Sequence, residues 1–145
     1  THLGHSFPTR RSSDLRCTST PTFVSLLLTT IQPAAHMWAL VSHLHTSLLA
    51  LSLPPSCRLL RIPQLCPESP IFSLLTPRPR DLAKECQAAG FMVRAIVAPT
   101  VPVGAERVRV CLHAGNSFEE VERLVGVVGE WVRRIEVEGA EKARL

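Results

Sequence analysis

Arg107 and Arg109 are set two apart in an alternating run that reads RVRVCLH from Arg107 to His113. In an extended strand Val108, Val110 and Leu112 then point one way, and Arg107, Arg109, Cys111 and His113 point the other. A guanidinium is a planar fork that holds a carboxylate by two parallel charge-assisted bonds, which an ammonium cannot do. Arginines on one sheet face are either solvated or salt-bridged, the ordinary fate of surface charge, or they stand opposite something anionic. Upstream, Phe91 to Ala98 is rich in apolar and β-branched residues, and the stretch from Pro99 to Gly104, PTVPVG, makes a stiff connector. The pattern predicts strand, turn, strand.

Other chemistry-bearing residue types are scattered. Cys17, Cys57, Cys66, Cys86 and Cys111 form no CxxC or Cys/His ligand spacing, which argues against a structural zinc site and for a reducing compartment. Cys86 and Cys111 sit in apolar patterns and read as small core residues. His36, His43 and His45 fall in one apolar stretch, but His43 and His45 are two apart and do not share a helical face. Lys84 and Lys142 are the only lysines, one in an amphipathic segment and one near the end of the sequence.

The elements that must position these residues follow from periodicity. Phe23 to Leu53 is apolar and interrupted by Pro33. Its later part predicts a buried helix with Trp38, Val41, Leu44, Leu48 and Leu51 along one side. That part is also long enough to suggest a membrane span. The internal histidines, the serines and threonines, and the lack of flanking Lys/Arg asymmetry count against one. Prolines punctuate residues 54–79, leaving a short strand over Ser69 to Thr76. Asp81 to Ala89 predicts a helix stopped by Gly90. Ser117 and Glu120 form an S-x-x-E capping box. It opens a helix whose core stripe is Phe118, Val121, Leu124, Val125, Val128, Trp131, Val132 and Ile135. Gly139 onward reads as a polar tail.

The predicted order is helix, strand, helix, strand, strand, helix. The fold class is α+β, a short antiparallel or mixed sheet covered by helices on one face, with the arginine face left over. Formal charge is +4 over 145 residues, compatible with nucleic acid, anionic ligands or neither. No Asp, Glu, Lys or Arg occurs between Arg16 and Arg58. Sheets that bind RNA stack bases on aromatics, and the Arg107 strand has none on its exposed face. No nucleic-acid partner is expected. Phe7 to Leu15, FPTRRSSDL, resembles the translation of a sequencing-library adapter, so residues 1–22 are read as a non-native or disordered leader. Residues 23–136 are read as one domain and 137–145 as a flexible tail.

The run from Gly90, GFMVRAIVAPTVPVGAERVRVCLHAGNSFEEVERL, resembles the C-terminal small domain of the α-oxoamine synthases, pyridoxal-phosphate enzymes of aminotransferase class I/II and fold type I. It matches their signature G-F-x-V-x-A-I-x-x-P-T-V-P-x-G-x-x-R-[LV]-R, and Glu68 to Ala83 resembles the strand and helix before it. The resemblance implies a homodimer with pyridoxal 5'-phosphate on a large-domain lysine. The activity it implies is an acyltransferase that condenses an amino acid with an acyl-CoA and releases the carboxyl group. It implies that Arg109 grips the amino-acid carboxylate and that Thr100 contacts substrate. It also implies that Thr30, with Thr29 beside it, reaches a cofactor phosphate across the dimer. Val97 stands where bacterial biotin-pathway members carry arginine. Neither Lys84 nor Lys142 has the context of a cofactor lysine, so the chain is expected to be an inactive part of an enzyme, without catalytic residues of its own. Serine palmitoyltransferase, 5-aminolevulinate synthase and glycine C-acetyltransferase share much of this domain, so the member is left open. Ala143-Arg144-Leu145 is a variant of the S-K-L address, so peroxisome or cytoplasm is expected.

Overall fold

A computed structural model describes residues 23–53, 57–142 and 144, with side chains from 33 onward except that of 142. The order of elements is the expected one: α1 (Phe23–Ala50), β1 (Ile71–Leu75), α2 (Pro79–Ala88), β2 (Arg94–Ile96), β3 (Arg107–Cys111) and α3 (Phe118–Lys142). Residues 1–22, Ala143 and Leu145 lie outside the described residues, and with them the leader and two thirds of the terminal tripeptide.

The sheet is antiparallel throughout, in the order β1-β3-β2. Alternation works as expected. Phe72 and Leu74 of β1 and Val108 and Val110 of β3 are buried, and Ile71, Arg109 and Cys111 are exposed. The strand expected over Phe91 to Ala98 shortens to Arg94–Ile96 because its start serves α2 instead. Gly90 takes φ 92° and donates to the Gln87 carbonyl, and Phe91 N–H donates to Cys86, a Schellman closure that only a residue free to adopt positive φ makes cheaply. Gln87 Nε2 then holds the Val93 carbonyl at 2.9 Å, so residues 91–93 wrap the end of α2.

Leu82, Ala83 and Cys86 seat α2 in the core, and α2 contacts both β2 and β3. α3 packs against α2 and α1. Its stripe is buried at Val121, Leu124, Val125, Val128, Trp131 and Val132. Two ends of the expected stripe depart from it: Phe118 is 42% exposed and Ile135 only half-buried. Phe118 serves another purpose, with the rings of His36 and His43 meeting it edge-on at 5.5 and 5.2 Å. α3 runs on to Lys142 through Gly139, so the residues expected as a flexible tail from 137 are largely helical.

α1 corrects two further expectations. It is continuous through Pro33, which lies exposed within the helix. Trp38 is 43% exposed; Leu40, Val41, Leu44 and Leu48 form the buried stripe and Trp38 falls on its flank. α3 comes close at Gly129, where an added Cβ would stand 2.9 Å from Leu51 Cδ2. Among the described residues no helix is long and apolar enough to cross a membrane.

Candidate functional site

Strand pairing sorts the open face into rows. Ser73 and Arg94 flank Arg109 on either side, and Leu75 and Ile96 flank Arg107. Ile71 pairs with Cys111 in the last row. Directly opposed residues share a face, so Arg94 and Arg109 stand side by side, both exposed. The ion pairs of the described residues lie elsewhere, Arg78 with Asp81 and Arg134 with Glu85, and the close approach of His43 to Glu122 is also remote from this face. Arg107 is half-buried and donates from Nε to the Ala105 carbonyl at 3.1 Å, which occupies it structurally. His113 lies beyond the strand, where its backbone N–H is held by Asn116 Oδ1.

Thr100 sits exposed in the connector that closes the β2–β3 hairpin. Its N–H donates to the Val97 carbonyl at 3.0 Å, and the Ala98–Pro99 peptide is cis. Further on, Ala105 N–H donates to Pro102, and Gly104, at φ 88°, donates to Glu106 Oε2 at 2.7 Å. Thr100 and Arg109 thus belong to one hairpin, on opposite sides of its Ile96·Arg107 pair. No hydrogen bond joins them among the described residues.

Thr29 and Thr30 belong to α1 by backbone, and their side chains lie outside the described residues. Lys84 is exposed on α2, in the helical layer away from the arginine face. Among the described side chains no lysine amine is held beside Arg109. The histidines have separate duties. His45 is buried with Nε2 2.9 Å from the Pro63 carbonyl, His36 meets the Asn116 carbonyl, and His43 lies 2.6 Å from Glu122. No group of three potential metal ligands occurs among the described residues.

Cys86 is buried as expected, and desolvation, helped by the nearby Glu85 charge, pushes its thiol up to about 11. Cys111 is exposed, contrary to the expectation of a core residue, because it falls on the open side of the alternation. A hollow of about 380 Å³ lies between the end of α2, the end of β3 and the start of α3. Arg123 and Phe91 both line it, the guanidinium carbon 5.5 Å from the ring centroid.

Arg94 was missed by motif reasoning because its position in the signature is free. Pairing 96 with 107 across the hairpin sets 94 against 109, and that register was the available signal.

No family model matches the chain. Over 77 residues it is 57% identical to 8-amino-7-oxononanoate synthase of Emericella nidulans, covering 53% of this chain and 18% of that protein. Over 80 residues it is 34% identical to the protein of that name in Methylocella silvestris, covering 53% of this chain and 22% of the relative. Over these stretches the chain is similar to part of the α-oxoamine synthases. It spans about a fifth of the length of these curated relatives. The fold has counterparts in serine palmitoyltransferases. The enzyme of Sphingomonas wittichii superposes with a TM-score of 0.61 at 23% identity, covering 73% of this chain and 26% of that one. That of S. paucimobilis, solved with a PLP–myriocin aldimine, also gives 0.61, at 19% identity and covering 77% and 27%. The α+β unit is therefore one found within fold-type-I pyridoxal-phosphate enzymes, as the α-oxoamine synthase signature led one to expect.

Proposed function

We propose that this chain is the substrate-carboxylate side of a pyridoxal-phosphate-dependent acyltransferase of the 8-amino-7-oxononanoate synthase kind. That enzyme joins an amino acid to an acyl-CoA with loss of the carboxyl group. The observation that carries this reading is Arg109, exposed at the centre of the open sheet face without an acidic partner among the described residues. A fork so placed binds and orients a carboxylate, and the strands on either side fix its direction. Thr100 adds a hydroxyl from the rigid Pro-Thr-Val-Pro turn. Pyridoxal phosphate supplies the electron sink for the carbon chemistry when bound; its lysine comes from outside these residues, in a two-subunit assembly. Thr30 and Thr29 are assigned to the cofactor phosphate by resemblance alone.

Two measurements test this. The chain mixed with pyridoxal phosphate gives no borohydride-trappable adduct on Lys84 or Lys142 above that of unfolded chain; a specific one on either sinks the reading. Grafted in place of the corresponding segment of the Emericella nidulans relative, it supports activity, and Arg109→Gln raises the amino-acid KM about tenfold or more, the effect of losing a charge-assisted pair. An unchanged KM removes Arg109 from the site. A nucleic-acid reading is not favoured, because the open-face rows hold Ile, Ser, Leu, Arg and Cys and no ring on which a base could stack.

A further inference from the structure

Neither Arg109 nor Thr100 lines the hollow of about 380 Å³ between the end of α2, the end of β3 and the start of α3. Its volume falls at the lower end of the roughly 300–1,000 Å³ typical of small-molecule sites. Val93, Val110, Leu112, Val121 and Leu124 line it from the core, and Phe91 is half-buried beside them. Met92, 88% exposed, adds an unbranched apolar chain, the kind most able to fit itself to a ligand. Two of the polar lining residues are committed to each other and to the cap of α3. Asn116 Oδ1 accepts from the His113 N–H at 2.8 Å, and Asn116 Nδ2 donates to Glu120 Oε2 at 3.1 Å. The same Glu120 oxygen accepts from the Ser117 N–H. Arg123 is not so committed. It is exposed, and among the described residues no acid stands within ion-pair distance of it. The Phe91 ring, 5.5 Å away, attracts the cation without neutralising its charge.

We propose that this hollow binds an amphipathic monocarboxylate, with a medium-length alkyl chain against Phe91, Val93 and Leu124 and the acid group on Arg123. The apolar lining favours a hydrocarbon body in proportion to the area it covers, and one fork takes one carboxylate. Glu120, on the same lining, repels a second negative charge, so a singly charged acid fits and a polyanion does not. Cys111 lines the hollow too, and its thiol is exposed. An occupant therefore screens Cys111 from solution, whereas Cys66, exposed and outside the hollow, stays as it was.

The test follows alkylation of each cysteine by mass in the full chain, titrated with octanoate, octanol or acetate at matched ionic strength. Octanoate slows Cys111 in a saturable way and leaves Cys66 unchanged. Acetate, with the acid and no chain, protects Cys111 at least about tenfold more weakly. Octanol, with the chain and no charge, is weaker by a similar factor, as is octanoate on the Arg123→Gln chain, because each lacks the charge-assisted pair. Continued protection of buried Cys86 shows that the variant is folded, and the comparison of the three probes on the unaltered chain stands without it. Octanol protecting as well as octanoate overturns the proposal, since the acid is then not recognised, and acetate doing so overturns it because the lining is unused. Full octanoate protection in folded Arg123→Gln removes the arginine from the site and the proposal with it. Slowing of Cys66 in step with Cys111 means adsorption over the whole surface, which also sinks it.

Discussion

Arg134 holds Glu85 by two parallel contacts, Nη1 to Oε1 at 3.1 Å and Nη2 to Oε2 at 2.7 Å, tying α3 to α2 across the outside of the core. The bond to Arg134 draws the Glu85 carboxyl below its ordinary value. Arg134 uses its fork on the chain's own acid, whereas Arg94 and Arg109 keep theirs open.

A carboxyl whose folded pKa is depressed adds stability above its unfolded pKa and loses it as pH falls through the folded value. Arg134→Met is therefore expected to lower Tm slightly at neutral pH and to leave it unchanged in strong acid. The difference shrinks in high salt, because the pair is exposed and screened. Thermal melts across pH and salt check this; a difference that persists in acid would mean the arginine acts through its stem.

At the start of α3, Ser117 Oγ accepts from the Glu120 N–H at 3.1 Å, and Glu120 Oε2 accepts from the Ser117 N–H at 3.1 Å. Ser117→Ala is expected to cost about 1 kcal/mol, the usual value of an N-cap side chain. Asn116 first, and the Ser117 backbone second, lower the Glu120 pKa. Its contribution is thus present above the unfolded carboxylate value of about 4.3 and fades as pH falls through the lower folded value. Glu120→Gln should match the wild type in acid and be less stable at neutral pH in denaturant melts.

Trp131 is 1% exposed and the largest fully buried side chain. Trp131→Ala is expected to cost roughly 3–5 kcal/mol, since transfer and cavity terms add. The α3 glycines divide sharply. Gly126 has open space where a Cβ would stand, so Gly126→Ala should stabilise by about 0.5–1 kcal/mol through helix propensity. At Gly129 the Cβ meets Leu51 Cδ2 at 2.9 Å, so that gain is consumed by shifting the leucine, and Gly129→Val should destabilise. Urea midpoints of the three glycine and tryptophan variants rank them.

Cysteine reactivity should follow exposure and thiolate content. Cys66 and Cys111 are exposed and are expected to alkylate quickly in native chain at pH 8. Cys86, buried with its thiol raised to about 11, should stay protected until denaturant is added. Mass-resolved labelling reads this directly, and early labelling of Cys86 would contradict the packing of α2.

Local rules carried much of the fold. Alternation found the buried and open sides of β3, Gly90 marked the end of α2, and the S-x-x-E box opened α3, since each signal is complete within a few residues. Pairing is not local, so Arg94 entered the site only with the register that opposes it to Arg109. Periodicity also draws a stripe without saying where a neighbour's coverage stops. Trp38 and Phe118 share the core's hydrophobicity, yet one lies on a flank and the other against two histidines. Pro33 was expected to interrupt a helix that in fact absorbs it on an exposed side.

The central place of β3 has a consequence for how the sheet is assembled. β2 reaches it through a single short connector, whereas β1 arrives from beyond α2. Closing the longer loop costs more chain entropy, so β2 is expected to pair with β3 before β1 docks. Until β1 docks, the other side of β3 is a row of unsatisfied amides and carbonyls open to any extended chain. The same strand that presents Arg109 is thus, in the newly made chain, the template most exposed to mispairing, and β1 is its guard.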